Sequence, residues 1–255
     1  MIKIENLKKR FDDKWVTKGV SLDIPAGKMT CIIGQSGEGK SVLLKQIIGL
    51  IKPTSGHIFV DGIDVPNISE REQSQYYKQV GYVFQFAALL DSLNVYENIG
   101  ITLIEKGIPK KKILPIVKEK LKMVNLEEDT LYKYPSELSG GMRKRVGFAR
   151  TLVTNPKIIL YDEPTTGLDP ITSHIIHELM YEMQKKLSIT SIVVTHDLKI
   201  FNYADKIALL SGGKIRYHGD AKTIWESEDP YVYQFIRGLP EGPIETEIVH
   251  FRDKF

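Results

Sequence analysis

The chain has 255 residues, with 35 lysines and arginines against 32 aspartates and glutamates, a formal net charge of +3. That length suits one large α/β domain or a core carrying an inserted lobe; the weak positive charge gives no footing for nucleic acid binding, though it tolerates an anionic membrane surface nearby. A single cysteine, Cys31, excludes an internal disulfide framework, and no apolar run approaches the roughly 20 residues that span a bilayer. Met1-Ile2-Lys3-Ile4-Glu5 alternates like a strand instead of opening a signal peptide, so the chain is expected to stay in the cytoplasm.

Residues 2–7 and 16–24 read as strands broken by Asp12-Asp13-Lys14, and Met29 to Ile33 as an apolar β-run with Cys31 in the core. Gly34-Gln35-Ser36-Gly37-Glu38-Gly39-Lys40-Ser41 follows with the spacing G-x-x-x-x-G-K-S, and a helix-like segment continues from Ser41 to Leu50. Strand, glycine loop and helix together aim backbone N–H groups and a positive helix end at phosphates. These flanks set the stretch apart from a glycine turn with a stray lysine. Gly34, Gly37 and Gly39 let the backbone curl around an anion, while Lys40 is expected at the β- and γ-phosphates and Ser41 on Mg²⁺.

Gly56 to Val60 reads as a strand closed by Asp61-Gly62, and Gln79 to Phe84 as one that runs into Gln85. From Phe86 to about Pro156 helical spacing replaces alternation, as in Ile113, Ile116, Val117, Leu121 and Val124, which predicts an inserted helical lobe. Pro109 stands at the start of that helix and Lys110-Lys111-Lys112 form its solvated first turn. Strands return at Ile158 to Tyr161, Ile189 to Thr195 and Lys206 to Leu210, with a helix start at Asp169-Pro170 between the first two. Gly212-Gly213 is a hairpin turn into Lys214 to His218, and Gly238 to Pro243 breaks regular structure. Strands alternating with helices argue for a largely parallel sheet with helices on both faces.

Three strand ends carry chemistry. Ile158 to Tyr161 ends on Asp162 and Glu163; alone this is a common exposed turn, but beside a phosphate loop Asp162 can hold Mg²⁺ and Glu163 can reach the attacking water. His196 follows another apolar strand, whose carboxyl end opens onto the same site if the sheet is parallel. Gln85, a neutral amide at a third strand end, can touch Mg²⁺ or water and carries little weight by itself. Leu138-Ser139-Gly140-Gly141-Met142 opens a helix from Arg143 to Thr154, with Ser139 as N-cap and exposed backbone N–H groups; this is equally an ordinary capped helix or a second anion site.

Taken together, and in this order, these residues resemble the ATP-binding subunit of ATP-binding-cassette transporters across nearly the whole chain. Walker A falls at Gly34–Ser41, the Q-loop at Gln85, the Leu-Ser-Gly-Gly signature at 138–141, Walker B at 158–163, the D-loop at Thr166-Gly167-Leu168-Asp169 and the switch histidine at His196. The resemblance implies an α/β P-loop NTPase (RecA-like) core, residues 1–85 and 157–237, with an antiparallel β subdomain. It also implies an inserted helical subdomain, 86–156, and a tail, 238–255. It implies that Phe11 stacks on adenine, that Gln35, Ser36, Glu38 and Val42 complete the contacts of Lys40 and Ser41 with ATP, and that Ser41, Gln85 and Asp162 serve Mg²⁺. Two copies are implied to pair head to tail, Ser139, Gly140, Gly141 and Asp169 of one completing the ATP site of the other. An integral membrane permease is implied to dock against Phe86, Ala87, Leu89 and Leu90, holding the chain at the inner membrane.

Met142 departs from the family's usual glutamine. With Gln85 to Leu93, Asp162 to Thr172 and Gln234 to Pro243, it looks like the Mla type, which works with MCE proteins and moves phospholipid between two membranes. The resemblance therefore implies an MCE-type lipid-binding partner, with a small regulatory subunit left open. An importer or exporter of another cargo shares these motifs. So does a soluble mechanical ATPase, but the interval from Walker A to the signature lacks the heptads of a repair ATPase, and there is one cassette where the ribosome type has two. A small-molecule P-loop kinase has no need of Leu138–Gly141 or His196, and Glu163 with His196 argues against a non-catalytic module. Phe251 and Phe255 are odd for a frayed terminus and suggest that the tail packs on the dimer partner.

Overall fold

Alternate apolar residues in β1 (Ile2–Phe11) and β2 (Lys14–Ile24) turn one face inward: Ile2, Ile4, Leu7, Val20, Leu22 and Ile24 are all buried, as in a half-solvated antiparallel pair. The turn between them is Asp12-Asp13 alone. Lys14, expected in the break, pairs with Phe11. This computed structural model describes residues 1–244, so Phe251 and Phe255 of the tail lie outside the described residues.

β3 (Met29–Ile33), by contrast, is buried at every position. After the glycine loop, α1 (Lys40–Ile47) ends three residues short of the expected Leu50, because Gly49 takes a left-handed φ of 82°. β4 (Ser55–Val60) pairs with the other edge of β1, and β5 (Ile63–Asp64) completes a four-stranded antiparallel sheet of order β2-β1-β4-β5. No element is expected from the sequence at α2 (Glu70–Tyr77), although Ser69 and Glu72 form its capping box.

β6 (Val80–Val83) returns to the sheet of β3. Three helices then follow: α3 (Val95–Glu105), α4 (Lys110–Met123) and α5 (Gly140–Leu152). β7 (Ile158–Asp162), α6 (Pro170–Leu187), β8 (Thr190–Val194), β9 (Lys206–Ser211), β10 (Lys214–Asp220) and α7 (Pro230–Arg237) complete the order. The second sheet has six strands in the order β10-β9-β3-β8-β7-β6, parallel except for β10. The architecture is that of an α/β P-loop NTPase core beside an antiparallel sheet and a run of helices.

The period of 2 in β3 divides the interior. Met29, Cys31 and Ile33 join the core made with α3, α4, α5 and α6, while Ile32 joins the core made with α1 and the antiparallel sheet. Phe148 on α5 meets Tyr161 on β7 edge-on, centroids 5.5 Å apart, and is 1% exposed. It ties the helical segment to the sheet that holds the carboxylates. Phe148→Ala is expected to cost about 3–5 kcal/mol, read from the denaturant midpoint; a loss under about 1 kcal/mol would mean that the segment does not depend on this contact.

Candidate active site

The carboxyl ends of β3, β6, β7 and β8 open at one edge of the sheet, where an α/β fold binds ligands. The loop after β3 is shaped by close approach: a Cβ on Gly34 would stand 2.3 Å from the Leu210 carbonyl oxygen, and one on Gly39 2.4 Å from Val16 Cγ1. Gly37 and Gly39 also take φ of 84° and 92°, open to glycine and strained for other residues. Lys40 is 6% exposed; its Nζ donates to the carbonyls of Gly34 and Gln35, each at 2.9 Å. Burial pushes its ammonium below the ordinary lysine range, and Glu163 opposes that shift from 3.9 Å. Glu38 accepts a bond from the Gly213 N–H at 3.4 Å, which pins the loop to the β9–β10 turn.

Phe11, Ser36, Gly37, Gly39, Lys40, Ser41, Val42, Gln85, Glu163 and His196 line one open cleft of about 450 Å³. At its floor Ser41 Oγ donates to Asp162 Oδ1 at 2.7 Å, and Tyr82 Oη donates to Asp162 Oδ2 at 2.8 Å. Burial, with Asp162 adding to it, pushes the Tyr82 phenol far above its usual range, so it stays a donor. The hydroxyl of Ser41 and one carboxylate oxygen converging beside a phosphate loop suit Mg²⁺, which takes one or two protein oxygens and leaves the rest to phosphate and water. Among the described residues no cluster of three or more His, Cys, Asp or Glu could hold a metal alone.

Glu163 is held differently from its neighbour. Its backbone is left-handed, φ 47°, and its N–H donates to the Val194 carbonyl at 2.9 Å. That turn swings the carboxylate between Lys40 and His196: Oε2 lies 2.9 Å from His196 Nδ1 and accepts from Thr166 Oγ1 at 3.4 Å. A non-glycine residue in this conformation at a cleft is the kind of strain that functional sites carry. The arrangement can hold a carboxylate oriented toward a water at the phosphate end of the cleft.

Ser139, Gly140, Gly141 and Asp169 are not brought to this cleft. Ser139 caps α5, its hydroxyl accepting from the Met142 N–H at 3.2 Å, and Asp169 caps α6 through the N–H groups of Ile171 and Thr172. The two helix starts touch. A Cβ on Gly141 would meet Thr172 at 2.6 Å, and one on Gly140 would meet Leu168 at 3.3 Å. These residues form a second surface of the same chain. In the segment after Gln85, Phe86 and Leu90 are exposed, but Ala87 is buried against Gly147 and Leu89 packs on the core. The exposed apolar surface here is therefore narrower than the sequence suggests, and Ala87 is removed from it because α5 has glycine at the point of closest approach.

Sequence reasoning missed Tyr82 and Val16 around the cleft, and named Thr166 only as part of the D-loop and not as a partner of Glu163. A tyrosine in a wholly buried strand, whose hydroxyl must find a partner, was the available signal for Tyr82. It also missed Lys144 and Arg150 on α5, which donate to main-chain carbonyls of the segment after β6: Lys144 to Gln85, and Arg150 to Ala87 and Ala88.

A family model described as ABC transporter matches residues 17–166. The methionine import ATP-binding protein MetN of Carboxydothermus hydrogenoformans is 41% identical over 254 residues, 98% of this chain and 75% of that protein. The probable ribonucleotide transport ATP-binding protein mkl of Mycobacterium leprae is 39% identical over 245 residues, covering 95% and 70%. The intermembrane phospholipid transport system ATP-binding protein MlaF of Haemophilus influenzae is 35% identical over 246 residues, covering 96% and 93%. Among solved structures, a dimeric ATP-binding cassette in a post-hydrolysis state with ADP and Pi bound is similar at a TM-score of 0.79 and 33% identity, covering 87% of this chain and 99% of that one.

Proposed function

We propose that this chain, which belongs to the ABC transporter family of ATP-binding proteins, powers phospholipid transport between two membranes, together with an integral permease and an MCE-type lipid-binding protein. The chain is an ATPase; its cargo is the proposal. Support comes from the MlaF relative and from what the Mla-like segments do in this fold. Met142 packs against the larger core in place of a polar side chain. The Gln234 amide clasps Ile244, accepting its N–H at 2.7 Å and donating to its carbonyl at 3.1 Å, while Gly242 leaves room for that amide. The higher identity to the methionine import relative favours an importer of a small molecule as the second reading.

In the proposed cycle, two copies pair head to tail, so that Ser139, Gly140, Gly141 and Asp169 of each meet the cleft of the other. Phe11 stacks on the base. Lys40 and the loop N–H groups, with Gln35, Ser36, Glu38 and Val42 around them, bind the phosphates. Ser41, Asp162 and Gln85 would hold Mg²⁺, which supplies charge neutralisation at the phosphates. Glu163 takes the proton from water as its oxygen bonds to the γ-phosphorus and the bond to the ADP oxygen breaks; His196 holds Glu163 in place from Nδ1.

The permease is proposed to dock where Tyr82, Phe84, Ala88, Ile101, Thr102 and Arg150 line a groove of about 370 Å³, between the end of β6 and the lobe formed by residues 86–156. Phe86, 80% exposed, and Leu90, 47% exposed, flank Ala88 in the chain and add apolar surface to this segment. Leu90→Asp is expected to weaken permease co-purification by about tenfold or more while ATP affinity holds, since a carboxylate would lose its water on docking; an intact complex would remove the segment after Gln85 from the docking surface. The cargo is tested by reconstituting the chain with an integral permease and an MCE-type protein from the same organism, and following labelled phospholipid between vesicles. ATP-dependent transfer supports the lipid reading. Stimulation of ATPase activity by methionine, with no lipid transfer, replaces it with the second.

A further inference from the structure

Three residues on one stripe of α5 hold the loop that follows β6. Lys144, Gly147 and Arg150 are spaced three apart and share a helix face. The Lys144 ammonium, 5% exposed, donates to the Gln85 carbonyl. Arg150 uses both terminal nitrogens, donating to the carbonyls of Ala87 at 2.7 Å and Ala88 at 2.6 Å. Between the two cations Gly147 admits the loop, since a Cβ there would stand 3.3 Å from the Ala87 methyl. The loop needs holding. Ala87 and Ala88 are successive left-handed residues, φ 58° and 48°, a conformation that alanine avoids unless its surroundings impose it. Bonds from charged donors are the strong kind, and a guanidinium fork fixes two acceptors at once.

We propose that Lys144 and Arg150 are positioning residues for ATP hydrolysis: they make α5 and the Gln85 loop one mechanical body. The helix whose amino end carries Ser139–Gly141 then also sets where the Gln85 side chain enters the cleft. A shift of that amino end, as when it meets a partner's nucleotide, moves Gln85 with it. Lys144 grips the main chain of Gln85, so it fixes the origin of the side chain and leaves its chemistry alone. The inference rests on the reading of Gln85 as a cleft residue that serves hydrolysis.

The test is a double-mutant cycle in the purified full chain, with kcat and KM for ATP measured for Lys144→Met, Lys144→Arg, Gln85→Ala and the Lys144→Met/Gln85→Ala pair. Lys144→Met is expected to lower kcat about tenfold with KM within about threefold, and Lys144→Arg to restore at least about half of the rate. In the Gln85→Ala background Lys144→Met should cost less than about twofold more, because both act through one side chain. Losses that multiply, or an arginine no better than methionine, overturn the clamp. Wild-type kcat in Gln85→Ala would instead remove the reading of Gln85 on which the clamp depends. Arg150→Lys keeps a cation but cannot span two carbonyls, so it stands in should Lys144→Met not fold; it is expected to slow kcat severalfold and to show the same non-additivity, and an unchanged kcat counts against the proposal.

Discussion

Glu163→Gln is expected to reduce ATP turnover by about 10²- to 10⁴-fold, the contribution of a well-placed general base, while ATP still binds. The substitution is nearly isosteric. The amide keeps an oxygen for the Thr166 hydroxyl, 3.4 Å away, and a polar edge for His196, whose Nδ1 lies at 2.9 Å. It loses the ability to take a proton, and it loses a negative charge 3.9 Å from Lys40. Removing that charge frees the ammonium from an internal competitor, so ATP affinity is expected to hold or rise. With chemistry stopped and binding intact, the ATP-bound pair of chains should accumulate. Two measurements check this: single-turnover hydrolysis, and size-exclusion chromatography with Mg²⁺ and ATP against a nucleotide-free run. Turnover within about tenfold of wild type would reassign the base. A slow enzyme that stays monomeric in ATP would leave Glu163 in its role and remove the paired-site reading.

The parts of this site legible in the sequence are those fixed by local backbone geometry. The glycine loop could be read because strand, spacing and helix start each constrain the same eight residues, and the structure puts a steric demand behind Gly34 and Gly39. Asp169-Pro170 and Ser139 read as helix starts because a cap satisfies N–H groups two or three residues away. What the sequence hid depends on distant packing. Tyr82 meets Asp162 across 80 positions, and Arg150 meets Ala87 across 63; no spacing rule carries such pairs. Ala87 looks like one more apolar residue on a docking surface until Gly147, on a helix 60 residues later, draws it inward. The positive φ of Glu163 was equally out of reach, and it is what parts two adjacent carboxylates into a floor residue and one between Lys40 and His196.

Lys40→Ala is expected to remove measurable ATP binding, because the side chain is both the nearest fixed cation and a part of the loop's own structure. Its ammonium is 6% exposed and bonds the carbonyls of Gly34 and Gln35 at 2.9 Å. Taking away one partner of a buried charge–charge contact costs about 3–5 kcal/mol, which corresponds to a Kd weaker by about 10² to 10³ or more. The loss divides between the phosphate contact and a loop no longer tied across its mouth. Lys40→Arg separates the two: it keeps the charge but places a wider, planar group among carbonyls set for a single ammonium, so affinity should recover only in part. Folding is expected to survive Lys40→Ala, since burial already disfavours the charged form of Lys40; a thermal midpoint within a few degrees of wild type establishes that, and the same midpoint qualifies Lys40→Arg for the comparison. Titration with a fluorescent ATP analogue reads the affinity. A Kd for Lys40→Ala within about threefold of wild type, in a chain that melts normally, would mean that the phosphates are held elsewhere.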